Sequence, residues 1–131
     1  RVFSIDELHL KFIPADFMND IDSADGTIGV DLFFEAFLGD INVLNGSVIK
    51  GVDGPKQYPV IWQTNDKIRI PDYDAPLLIR FYDDDFNGRP QFIGTMNISM
   101  WDLQQNFYPD EYTQYDIDDL ETKLVMTWKN D

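Results

Sequence analysis

Segments of strand length, either continuously apolar or alternating polar with apolar, recur along the whole chain, each bounded by Asp, Asn, Gly or Pro. Successive residues of a strand point to opposite faces, so this punctuation restricts the chain to short strands with at least one buried face. Strands are expected at 8–13, 31–38, 47–52, 67–71, 77–82, 92–99, 113–117 and 124–129. Lys67-Ile68-Arg69-Ile70 and Thr95-Met96-Asn97-Ile98 alternate as half-buried antiparallel strands do, whereas Leu77-Leu78-Ile79 is unbroken aliphatic, as in a central strand. No segment keeps a helical apolar period through several turns, which confines helix to one short piece at 100–106. Eight short strands without an internal repeat predict an all-β fold, an eight-stranded antiparallel β-sandwich, rather than a parallel α/β sheet.

With 131 residues, 44% of them hydrophobic, the chain has enough apolar surface for one sizeable core, and a single domain is expected over 1–131. It begins at Arg1 with neither an initiator Met nor an apolar leader, the pattern expected of a domain from a larger multidomain protein. No run approaches the ~18 apolar residues of a membrane span. There is no cysteine, hence no disulfide, thiol nucleophile or thiolate metal site. The formal net charge of −14 argues against nucleic acid as a partner, because that affinity comes from basic residues neutralising phosphates. The one histidine, His9, lies between Leu8 and Leu10 and is expected on an exposed strand face without a functional role. Without a Gly-x-Ser-x-Gly elbow or a cysteine, nucleophilic catalysis lacks its parts, and an enzyme is not expected. Trp62, Trp101 and Trp128 are expected as core or edge aromatics rather than a ligand platform.

The acid is clustered. The apolar run 76–82 delivers Asp83-Asp84-Asp85 to a turn-rich loop, Phe86-Asn87-Gly88-Arg89-Pro90, and a second apolar run leaves it at 92–98. Asp83 and Asp85 are two residues apart, so an extended backbone points both the same way and their repulsion favours a bound cation. Calcium suits such a place, taking ~6–8 oxygen ligands in adaptable geometry. Two aspartates are too few, and an earlier loop holding Asp16, Asp20, Asp22, Asp25 and Asp31 offers the remainder. An EF-hand is not expected there. With Gly26 at loop position 6, the first and twelfth positions fall on Ile21 and Leu32, which have no carboxylate.

These residues resemble a C2 domain, a calcium- and phospholipid-binding β-sandwich. Asp83-Asp84-Asp85 leads to Gln91-Phe92-Ile93-Gly94 where the family closes its third loop with Asp-x-Ile-Gly. Asp25 and Asp31 have the separation of the first-loop pair, and Asp31-Leu32-Phe33-Phe34 resembles the family's Asp-Pro-Tyr-Val strand without its proline. Tyr58-Pro59-Val60-Ile61-Trp62 followed by Lys67-Ile68-Arg69-Ile70 resembles the Asn-Pro-x-Trp turn and the strand after it. The resemblance implies calcium ligation by Asp25, Asp31, Asp83 and Asp85, with the Asp84 carbonyl and Gln91 adding oxygens. Asp16, Asp20 or Asp22 is an alternative to Asp25, because the first loop is longer than usual. Gln91 departs from the pattern: the family has a fifth aspartate there, and one charge fewer weakens the site.

The resemblance further implies calcium-dependent binding of anionic phospholipid, with Phe17, Met18 and Phe86 entering the interface and Arg89 meeting a phosphate. It places the protein in the cytoplasm, peripheral at membranes and monomeric as an isolated domain. A strand over 124–129 that closes the fold, with nothing strand-like before Leu8, favours the type II permutation. Gln91 supports a second reading, a protein-docking module of a membrane-traffic or scaffold protein whose calcium site is degraded. A third, a carbohydrate-binding module, requires an exposed row of aromatics on one sheet face.

Overall fold

The computed structural model describes residues 2–11, 30–52, 58–69, 74–84, 89–106, 113–117 and 122–129. Through them run β1 (Val2–Leu10), β2 (Val30–Leu38), β3 (Ile41–Val52), β4 (Val60–Arg69), β5 (Pro76–Asp83), β6 (Gln91–Ser99), α1 (Met100–Asn106), β7 (Thr113–Ile117) and β8 (Thr122–Lys129). The strands form two four-stranded sheets, ordered β4-β1-β8-β7 and β3-β2-β5-β6, with every neighbouring pair antiparallel. This is the antiparallel sandwich expected. β8 closes the first sheet between β1 and β7. β1, the strand that holds Leu8, begins at Val2 rather than at Leu8, and no strand precedes it among the described residues.

Alternation writes the core. Leu32, Phe34, Ala36 and Leu38 of β2 are buried, as are Leu77, Ile79 and Phe81 of β5, while the residues between them are half-buried on the outer face. β5 is central, with β2 and β6 on either side. Where alternation breaks, a register shift explains it. Between Ile5 and Glu7 the pairing of β1 slips against both β4 and β8, so Ile5 and Leu8 are both buried although three residues apart. The Thr64 hydroxyl bonds the Ile5 carbonyl at that slip, supplying an acceptor with the donor an irregular ladder would otherwise deny it.

The two sheets meet at aromatic rings. Trp62 on β4 is buried, and its Nε1–H donates to the Ser47 carbonyl on β3 at 2.7 Å, tying the sheets together across their open side. Its ring lies edge-on to Phe34 at 5.1 Å and tilted to Phe81 at 6.1 Å. Phe34 in turn pairs in register with Gly46, where a Cβ would fall 2.1 Å from the ring. Trp101, by contrast, is 52% exposed at the start of α1. His9 is not an exposed bystander: its side chain is 16% accessible and Nε2 lies 2.9 Å from Glu7 Oε2. None of the described helices is long and apolar enough to cross a membrane.

Gly46→Ala forces a methyl into a ring held by Trp62 and Phe81, and overpacking of this kind costs about 1–3 kcal/mol. Urea denaturation is expected to show that loss with an unchanged m-value.

Candidate functional site

Because β2, β5 and β6 are antiparallel neighbours, the start of β2, the end of β5 and the start of β6 share one end of the second sheet. Asp83 pairs in register with Leu32 on one side and Gln91 on the other. Asp31, one residue before Leu32, is therefore brought beside Asp83 from 52 positions away. The Asp31 N–H donates to Asp83 Oδ1 at 3.0 Å, and the Asp84 N–H donates to the Asp31 carbonyl at 2.7 Å. A third main-chain donor, the Gly51 N–H of β3, reaches Asp31 Oδ1 at 2.8 Å.

Asp83 continues the inward series Leu77, Ile79, Phe81 and is only 3% exposed. Asp31 belongs to the outward series of β2 and is half-buried, with its carboxylate turned along the sheet toward β3. Asp84 is exposed, Gln91 half-buried and Arg89 exposed. Backbone donors on both carboxylates offset part of the repulsion that crowding them creates, because a hydrogen bond to an ionised acceptor is roughly twice as strong as a neutral one. Asp25, Asp85, Phe17, Met18, Phe86 and the alternatives Asp16, Asp20 and Asp22 lie outside the described residues. Among the described residues no three His, Asp or Glu side chains are grouped to hold a metal ion. The donors present, carboxylate and amide oxygens, have the hardness that calcium takes.

One feature of this end escapes sequence reasoning. Phe33 on β2, Tyr82 on β5 and Phe92 on β6 are cross-strand partners. Phe33 and Tyr82 stack at 5.1 Å, Tyr82 meets Phe92 edge-on at 5.9 Å, and Phe92 is 55% exposed. The available signal is an aromatic directly before Asp83, one directly after Gln91 and one two residues after Asp31. Phe33 and Tyr82 present their faces to each other, so the row is no flat platform for a sugar ring. Further along the same face Arg80 lies 5.0 Å over the Phe37 ring. Two open grooves, of about 330 and 310 Å³, run between β3 and β4 and are lined by residues including Ile49, Ile61 and Trp62, with no carboxylate or histidine among the described residues that line them.

Asp83→Ala removes the acceptor for the Asp31 N–H, and a buried donor left unpaired costs about 1–3 kcal/mol. Asp83→Asn keeps a carbonyl oxygen there. The alanine variant is therefore expected to be the less stable of the two in chemical denaturation with EDTA present.

No protein-family model and no curated protein matches the sequence. Solved structures do. One described as the structure of a C2 domain superposes with a TM-score of 0.61 at 13% identity, over 95% of this chain and 94% of that one. Human GIVD cytosolic phospholipase A2, in complex with methyl γ-linolenyl fluorophosphonate and terbium chloride, gives 0.61 at 11% identity, over 95% of this chain and 16% of the phospholipase. A C2 domain of plant extended synaptotagmin 1 gives 0.50 at 15% identity, over 95% of this chain and 88% of that domain. Likeness at these identities is likeness of fold, and it agrees with the two antiparallel sheets described above: the chain is a β-sandwich with the C2-domain fold.

Proposed function

We propose that this domain is a non-catalytic module that binds anionic phospholipid membranes in a calcium-dependent way. The observation that carries the reading is the meeting of Asp31 and Asp83, 52 positions apart, at one end of the second sheet, with Asp84 and Gln91 beside them. Residues that would hold calcium are Asp31 and Asp83, with Asp25, Asp85, the Asp84 carbonyl and the Gln91 amide oxygen completing the set. Bound there, the ion supplies local positive charge and open coordination positions for a lipid phosphate. A terbium salt in the similar phospholipase structure, a hard trivalent cation, is consistent with that chemistry.

At −14 the domain is repelled by an anionic leaflet within about a Debye length, ~8 Å at physiological salt. Neutralising the strand-end carboxylates removes the repulsion where approach is closest. Phe92 then stands at the rim with a largely exposed ring and joins Phe17, Met18 and Phe86 as an apolar contact, while Arg89 meets a phosphate. On this reading the domain works peripherally at membranes, on the cytoplasmic side. Gln91, opposite Asp83 in register, favours a second reading, in which the calcium site is lost and the domain docks a protein.

Calorimetry with calcium, with and without phosphatidylserine vesicles, separates the two readings. The first expects calcium binding that strengthens with lipid and is weakened by Asp83→Asn; absence of calcium heat and of vesicle sedimentation leaves the second. Gln91→Asp is expected to tighten calcium binding roughly three- to tenfold, equivalent to about 1 kcal/mol of added attraction. Phe92→Ala is expected to weaken vesicle binding about fivefold, the share of a partly inserted ring, without changing calcium affinity measured in the absence of lipid.

A further inference from the structure

We infer that Gly51 is a positioning residue of the cation site, fixing Asp31 through its main-chain N–H so that β3 forms a third wall of the site. The inference rests on the reading proposed above. Val30 pairs with Val52 and Leu32 with Ile49, so Asp31 alone faces both Lys50 and Gly51. A bulge of this two-against-one kind leaves the extra residue outside the ladder and re-aims what lies opposite. Gly51 adopts φ +69°, in the left-handed region that side chains with a Cβ disfavour. Among the described residues, its two chain neighbours aside, no atom lies within 4 Å of where its Cβ would be. Backbone conformation, and not lack of room, is therefore what glycine supplies here. That conformation aims the N–H at Asp31 Oδ1, 2.8 Å away.

The consequence is directional. Asp31 lies in the outward series of β2, and by pleat alone its carboxylate would stand away from the sheet end. Held by Gly51, one oxygen is fixed beside β3, which sets where the other can point. A donor behind a ligand orients it and limits the freedom lost on ion binding, and removing such donors typically costs 10–100-fold in metal affinity. The segment that sets the geometry lies 20 positions from Asp31 and carries no ligand itself.

The test is calcium titration by calorimetry, without lipid, on the folded domain and on three changes. Gly51→Val resists a positive φ and is expected to weaken calcium binding about 10–100-fold, with circular dichroism unchanged. Gly51→Asn tolerates the left-handed region and keeps the N–H, and should stay within about threefold of wild type. In an Asp31→Ala background, Gly51→Val is expected to cause no further loss, because residues acting through one another are non-additive. Unchanged affinity in Gly51→Val, or an equal loss in the Asp31→Ala background, overturns the inference while leaving the membrane reading standing. No calcium binding by wild type overturns that reading and this inference with it. If Gly51→Val does not fold, the Gly51 amide resonance of wild type decides. It must move on Asp31→Ala in EDTA and again on calcium addition, and a stationary resonance overturns the inference.

Discussion

The ring of Phe34 occupies the space a side chain at residue 46 would need, and much of the architecture depends on that contact. There Phe34 of β2 pairs in register with Gly46 of β3, and Trp62 of the opposite sheet packs edge-on against the same ring. Any larger residue than glycine would push β3 outward and pull Ser47 from the Trp62 indole, loosening the tie between sheets. Between that contact and the place where Gly51 reaches Asp31 the pairing of β2 with β3 slips twice, between Phe34 and Leu32 and again between Leu32 and Val30. The second slip sets two residues of β3 against Asp31. The direction of a carboxylate at the sandwich end thus follows from a local irregularity of the ladder.

That end gathers charge in a chain already at −14. Unscreened, two neighbouring carboxylates repel by an amount that depends steeply on local dielectric, and Asp83 is almost wholly withdrawn from water. What makes the arrangement tolerable is the main chain. Antiparallel pairing of β2 with β5 leaves the N–H of Asp31 directed at Asp83, and Asp84, the residue after β5, directs its N–H at the Asp31 carbonyl. These donors come from the ladder's own ends, where backbone groups lack strand partners and need others. The site and the termination of the sheet are one structural event.

Legibility in the sequence follows the regularity of the strands. The helix at Met100–Asn106 and the strands ending at Leu38 and Ser99 emerge where periodicity is clean. The pattern places β1 too late because Asp6 and Glu7 interrupt the period at the slip after Ile5. It starts β3 at residue 47, too late again, because Asn42, Asn45 and Gly46 read as a turn. In the fold Gly46 yields to Phe34, and the Asn42 amide bonds the Ala36 carbonyl at 3.0 Å. Gln63-Thr64-Asn65-Asp66 hides the first half of β4, a polar stretch that an edge strand with one solvated side accommodates. The pairing of Asp83 with Gln91 is legible, since loop spacing implies it. The aromatic row and the Gly51–Asp31 bond are not, because both depend on register between segments and a bulge shifts register without a local signature.

The inward position of Asp83 bears on function more than its membership of a cluster does. Leu77, Ile79 and Phe81 precede it in the same series, and another aliphatic residue there would bury apolar surface at no desolvation penalty. Replacing a buried charged group by a well-packed apolar one is often neutral or stabilising. Stability alone therefore gives little reason for a carboxylate at the last inward position of a central strand. The proposed role as a cation ligand, which must be rigid, gives a good one: burial restricts the side chain to few rotamers, and the Asp31 N–H holds one oxygen. Gln91 across the ladder adds an oxygen without adding charge. Under the proposed function, that combination corresponds to an ion held loosely enough to depend on lipid phosphate for the rest of its coordination.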